Sequence, residues 1–158
     1  MSRNLSTHFF KDLKSKSDEI SVTDYENVSI FCKFEDEYFT EEIAQEFLGL
    51  LSSIKSISNG LSVDLRDNAF TDLHMKRLAS IILKHRELRE LVLWLPDNYI
   101  TDEGAVELLN VLDSLKNLKS LTVNFEWNFR ISNKTLQNLC RKLPTMSQLK
   151  FIKVLMSK

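Results

Sequence analysis

The chain of 158 residues has only three glycines, two prolines, two cysteines and three histidines. Cys32 and Cys140 form a lone pair far apart in the sequence, which gives neither a disulfide framework nor a C-x-x-C metal or redox pair. Gly49, Gly60 and Gly104 are scattered, so no glycine loop cradles a phosphate and no G-x-S-x-G nucleophile elbow exists. No apolar run reaches the roughly 18 residues of a membrane-spanning helix, and the N-terminus lacks the apolar stretch of a secretory signal. An excess of one charge is missing too. Twenty-one basic residues face 22 acidic ones, so a net charge of −1 supplies no pull toward nucleic acid. The 43% of hydrophobic residues excludes disorder as the main reading, and the length leaves room for one domain or at most two very small ones.

Chemistry-bearing groupings are equally sparse. His8, His74 and His85 have no Cys, Asp or Glu at ligand spacing, and the last two are expected on solvated helix surface. The acids Glu35, Asp36, Glu37, Glu41 and Glu42 lack the glycine turn of a calcium loop, and helix-start preference accounts for them. Lys76, Arg77, Lys84, Arg86 and Arg89 are interrupted by Asp72, Glu87 and Glu90, which reads as a solvated helix face rather than a nucleic-acid patch. No catalytic residue, metal ligand or cofactor is expected, and the protein reads as not an enzyme.

What the chain has in abundance is leucine, 25 residues of it, at regular spacing. Alternating apolar triplets recur at Ile30, Cys32, Phe34; Leu61, Val63, Leu65; Leu91, Leu93, Leu95; Leu121, Val123, Phe125; and Ile152, Val154, Met156. Alternation with a period of two predicts strands with one buried face. The triplets start 31, 30, 30 and 31 residues apart, and Asn68, Asn98 and Asn128 each follow a triplet by three residues, with Glu37 in the first equivalent position. An asparagine there can bond the turn backbone where regular pairing stops.

A second phrase follows each of the first four triplets: Phe39-Thr40-Glu41, Phe70-Thr71-Asp72, Ile100-Thr101-Asp102 and Ile131-Ser132-Asn133. The hydroxyl residue suits a helix N-cap, and an acid after it meets the positive end of the helix dipole. Apolar residues then step by three, one and three: Ala44, Phe47, Leu48, Leu51; Met75, Leu78, Ala79, Ile82; Ala105, Leu108, Leu109, Leu112; and Leu136, Leu139, Cys140, Leu143. That spacing is one face of a helix. The unit is strand, turn and helix. Since one unit cannot bury its apolar face alone, the units must stack into a parallel sheet covered by helices.

Leu88-x-x-Leu91-x-Leu93, Leu118-x-x-Leu121-x-Val123 and Leu149-x-x-Ile152-x-Val154, with Leu95-x-x-Asn98-x-Ile100, resemble the leucine-rich repeat. Ile100-Thr101-Asp102-Glu103-Gly104-Ala105 is similar to the helical half of the ribonuclease-inhibitor-like subfamily. The asparagine follows a third strand apolar residue rather than the second, so the unit is about two residues longer than the family norm, as a longer strand or a bulge would make it. The resemblance covers about residues 28–158. It implies an α/β solenoid with about five parallel strands on its concave side and about four helices on its convex side. It also implies protein binding without catalysis.

Residues 1–19, net basic in their first 17 positions, carry Leu5, Phe9 and Leu13 at helical spacing. They are expected to form an N-terminal capping helix, with a faint likeness to an organellar presequence as the alternative. Residues 20–158 are expected to form the repeat domain. The residues between the buried ones should face the open side of the sheet: Phe31, Lys33, Asp64, Arg66, Val92, Trp94, Asn124, Glu126 and Leu155 form the expected partner-binding surface, centred on Trp94. Charge is uneven along the stack, from ten acids against one base over residues 18–50 to nine bases against five acids over residues 101–158. The expected role is a small scaffold subunit that binds other proteins in a larger cytoplasmic (alternatively mitochondrial) assembly, with neither nucleic acid nor a membrane span. An adaptor that recruits or inhibits an enzyme, of ubiquitin-ligase or cytoskeletal type, is the alternative. The last strand would leave an edge for a partner protein or a second copy to cover.

Overall fold

The computed structural model describes residues 5–7, 25–31 and 41–157. Among these the chain forms six strands and four α-helices. They run β1 (Leu5–Thr7), β2 (Tyr25–Phe31), α1 (Glu41–Ser53), β3 (Ile57–Asp64), α2 (Asp72–Ile82), β4 (Glu90–Trp94), α3 (Asp102–Leu112), β5 (Ser120–Asn124), α4 (Asn133–Lys142), a 3-10 turn (Leu143–Thr145) and β6 (Phe151–Leu155). The strands lie side by side in sequence order, and every neighbouring pair is parallel.

The last four predicted triplets stack in register. Leu61, Leu91, Leu121 and Ile152 form one row, and Val63, Leu93, Val123 and Val154 the next. The ladder runs beyond the formal strand ends. Leu65, Leu95 and Phe125 donate their N–H groups to Trp94, Asn124 and Leu155, and Asp67, Asp97 and Trp127 donate to Pro96, Glu126 and Ser157. This extended rung accommodates the third apolar position, and Leu65, Leu95 and Phe125 are buried.

In the first repeat the register differs from the expected one by two residues. Val28 and Ile30 pair with Leu61 and Val63, so the first step is 33 residues rather than 31. A two-residue slip preserves the parity of an alternating strand, so the pattern alone could not choose among Val28, Ile30, Cys32 and Phe34. Between Tyr25↔Ile57 and Asn27↔Gly60, β3 carries one extra residue, a bulge that leaves Ser58 and Asn59 exposed and both Gly60 and Leu61 buried. The Asn59 side chain donates to Asn27 Oδ1 at 3.0 Å across it. A Cβ on Gly60 would lie 2.8 Å from that same oxygen, so the side-chain bridge needs a glycine here.

Leu5–Thr7 pair with Val28–Ile30 as a sixth parallel strand, where a capping helix was expected. β2 would otherwise present a free backbone edge, and edge pairing satisfies it where a helix cannot. The remainder of residues 1–19 lies outside the described residues, as do Cys32, Lys33, Phe34, Phe39 and Thr40.

The core lies between the sheet and the helices. All four apolar positions of each expected set are buried in α1, α2 and α3. Of the expected apolar set in α4 only Leu139, and Leu143 just beyond the helix, are buried. Leu136 is 41% exposed and Cys140 is a free, exposed thiol. They face the end of the stack, where no further helix packs over them among the described residues.

Candidate protein-binding face

Two ladders of polar side chains hold the rungs in register and so position the open face. Asn98 donates through Nδ2 to Leu65 O at 2.8 Å in the preceding repeat and to Leu95 O at 3.1 Å in its own. Its Oδ1 accepts the Phe70 N–H at 2.9 Å. Asn128 repeats the pattern with Leu95 O, Phe125 O and the Ile100 N–H. Each buried amide thus closes its own turn and ties it to the turn before, the backbone role expected of it.

The acids at the helix starts do more than answer the dipole. Asp72 accepts from the Thr101 N–H (2.8 Å), the Thr101 hydroxyl (2.7 Å) and the Gly104 N–H (3.0 Å). Asp102 accepts in the same way from Ser132 N–H and hydroxyl at 2.9 and 2.6 Å, and from the Thr135 hydroxyl. Burial alone would raise the Asp102 carboxyl, but the Ser132 and Thr135 hydrogen bonds outweigh it and hold the group below the usual range. Thr101 and Ser132 act as the N-caps their type predicts, accepting from the N–H groups of Glu103 and Lys134.

Between the first two helices a histidine takes this place. His74 is buried at 5% exposure. Its Nδ1 accepts the Thr71 N–H at 3.0 Å, which leaves Nε2 to meet Glu41 Oε2 at 2.9 Å. Glu41 also takes Arg77 at 2.7 Å. Bonds from Gln45, His74 and Arg77 lower the Glu41 pKa to about 2. His85 is buried as well, with Nδ1 accepting the Ile57 N–H at 3.2 Å. Neither histidine is the solvated side chain expected from its helix position, because both serve as acceptors for backbone N–H groups inside the stack.

On the sheet face away from the helices, register places Phe31, Asp64, Trp94, Asn124 and Leu155 in one row. A second row holds Ser29, Ser62, Val92, Thr122 and Lys153. Of the expected surface residues, Asp64, Val92, Trp94, Asn124 and Leu155 fall in these rows, as does the backbone of Phe31, while Arg66 and Glu126 lie just past the ends of β3 and β5 and Lys33 lies outside the described residues. Trp94 is half-buried at the centre. The Arg66 guanidinium carbon stands 5.9 Å from its ring centroid, and Lys153 reaches across β5 to place Nζ 5.6 Å from it. Two cations on one ring hold it in place while leaving it accessible.

Around it the polar groups are matched within each strand end. Asp64 accepts from the Arg66 Nε at 3.0 and 3.1 Å, which raises the Arg66 pKa. Asn124 accepts the Glu126 N–H at 2.8 Å and donates to Glu126 Oε2 at 3.0 Å, while Glu126 Oε1 accepts from the Ser157 hydroxyl at 2.9 Å. Asn124 itself is buried at 3% exposure. Val92 and Leu155 are half-buried on either side. The face is therefore a strip with an aromatic centre and matched charges of both signs.

One feature beside this strip escaped the sequence reading. Tyr99 (65% exposed), Trp127 (50%) and Phe129 (63%) line the strand-to-helix rim. The rings of Trp127 and Phe129 meet edge to face at 6.1 Å, and half of Trp127 stays exposed. Asp67, Asp97 and Trp127 occupy one equivalent turn position at φ of 55°, 54° and 60°. Aspartate tolerates that left-handed conformation far better than a bulky ring does. The available signal was a one-residue insertion: two residues separate Asn128 from Ile131, where one separates Asn98 from Ile100.

Among the described residues no group of three or more His, Cys, Asp or Glu is placed to hold a metal ion, and no helix is long and apolar enough to cross a membrane. In-register parallel rungs, asparagines that recur at equivalent turn positions and helices along one face define a leucine-rich-repeat-like fold. The chain is similar in structure to a tropomodulin C-terminal domain from Caenorhabditis elegans, with a TM-score of 0.57 and 14% identity over 94% of this chain and 81% of that one. No protein-family model and no curated protein sequence matches it.

Proposed function

We propose that the protein is a non-catalytic interaction module, a small scaffold subunit that binds a partner protein on the open face of its sheet. The observation that carries this reading is the half-buried Trp94 at the middle of the strip, with Arg66 and Lys153 at 5.9 and 5.6 Å from its ring centre. Tryptophan and arginine at the centre of a preorganised patch are the residue types that dominate binding energy. The exposed aromatics Tyr99, Trp127 and Phe129 extend the same surface over the rim. The free, exposed thiol of Cys140 fits a reducing compartment such as the cytoplasm.

The test is affinity capture from native extract with wild type and with Trp94→Ala, followed by titration of the recovered partner. The variant should keep its circular dichroism and melting midpoint and lose about 2 kcal/mol of binding, roughly thirtyfold in Kd. Unchanged affinity in a correctly folded variant would reject the open face as the binding surface.

A further inference from the structure

Among the described residues β6 lies at the end of the sheet, and only one of its edges meets another strand. In a parallel ladder the N–H and C=O of one residue point to the same side, and the side alternates along the strand. Phe151 donates inward to Lys119, while the carbonyls of Leu155 and Ser157 accept inward from Phe125 and Trp127. Ile152, Val154 and Met156 therefore turn their backbone groups outward. Their side chains belong to the core rows, yet Ile152 is 42% exposed where its row-mate Leu121 is fully buried. Leu136 and Cys140 on α4, the helix of the same repeat, are exposed as well. The end of the stack is thus an apolar step edged by free backbone donors and acceptors.

The last repeat itself carries charge of one sign, with Asp102, Asp113 and Glu126 of the preceding repeat beside Lys134, Lys142 and Ser157. Residues 133–157 contain Lys134, Arg141, Lys142, Lys150 and Lys153 and no Asp or Glu. Lys142 is matched by Asp113 from the preceding repeat, while Lys134, Arg141 and Lys150 are exposed. Lysines on an edge strand guard it against a like edge. A second copy presenting the same end would bring lysine against lysine, so charge disfavours self-pairing there and favours an acidic occupant.

We propose that an acidic, extended segment of another protein adds to β6 as a further strand. It would pair its backbone with Ile152 and Val154, lay alternate apolar side chains over them, and set its carboxylates near Lys150, Lys134 and Arg141. The proposal shares the protein-binding reading but not its surface, so Trp94→Ala should leave this binding intact and the two can fail separately.

The probes are two synthetic octapeptides, one alternating valine with glutamate and one alternating valine with lysine, titrated by fluorescence anisotropy. The glutamate peptide should bind, weaken about tenfold between low and high salt, and slow hydrogen exchange at the amides of Ile152 and Val154. Lys150→Glu combined with Lys134→Glu should abolish binding with the fold unchanged by circular dichroism. Val154→Pro should do the same by removing an outward N–H, since the inward ladder does not use it. Equal binding of both peptides, no binding of either, or protection appearing elsewhere would overturn the proposal. So would dimerisation through this end in light scattering, or binding to anionic phospholipid vesicles in place of the glutamate peptide.

Discussion

At Gly104 a single missing methyl group decides whether two helices can dock. A Cβ there would lie 2.3 Å from Asp72 Oδ1 and 3.2 Å from Asp72 Cα, which is backbone and cannot swing aside. The carboxylate accepts the Gly104 N–H and caps α3 from the neighbouring helix. His74 and Thr135 take the equivalent third helical position in the flanking repeats, where their side chains meet Glu41 and Asp102. Gly104→Ala should destabilise the fold by about 1–3 kcal/mol through overpacking, although alanine is the better helix former. Denaturant melting reads this directly, and a more stable variant would show that the acid does not bridge the repeats.

At the scale of elements, the end of α2 is tied to the start of β3 by one imidazole. His85 accepts the Ile57 N–H, and its Nε2 has no partner among the described residues. Burial first, and the neighbouring Lys84 charge second, lower its pKa below the ordinary 6.5. A histidine whose folded pKa is depressed is protonated more readily in the unfolded chain. Its contribution to stability is complete above about 6.5 and is lost as pH falls below that value. Glu41, held at about 2 against an ordinary 4.5, adds a second loss only under more acidic conditions, as pH falls from 4.5 toward 2. Unfolding midpoints should therefore decline between pH 7 and pH 5, and His85→Gln should flatten that slope while leaving the decline below pH 4.5. An equally steep slope in the variant would assign the loss to another group.

Across the whole molecule, strand parity, turn asparagines and helix faces could be read from the chain because each is periodic and local. Leu61, Leu91 and Leu121 announce a shared row by spacing alone, and Trp94 follows onto the open face by parity. What could not be read depends on neighbours in space. His74 looks solvated on its own helix and is buried only because α1 brings Glu41 against it. Leu136 and Cys140 match the buried spacing of the other helices, yet nothing packs over them at the end of the stack. The position of the first rung was ambiguous, since an alternating segment slides by two without penalty to its pattern. The aromatic rim lies in the turns, outside the alternating strands and the helix faces, where exposure leaves no periodic trace.

The equal 30-residue steps from Leu61 to Leu91 to Leu121, in matching register, make the middle unit exchangeable. Excising residues 91–120 and joining Glu90 to Leu121 would bring Asn128 beneath the Phe70 amide and Asp72 beneath Ser132 and Thr135, partners of the same kinds as those lost. Such a shortened chain should still melt cooperatively at a lower midpoint, because each unit leans mainly on its immediate neighbours. A chain that no longer folds would mean that the units are not modular. Growth or shrinkage by whole units is then a route by which this architecture can change the length of its binding strip without redesigning its ends.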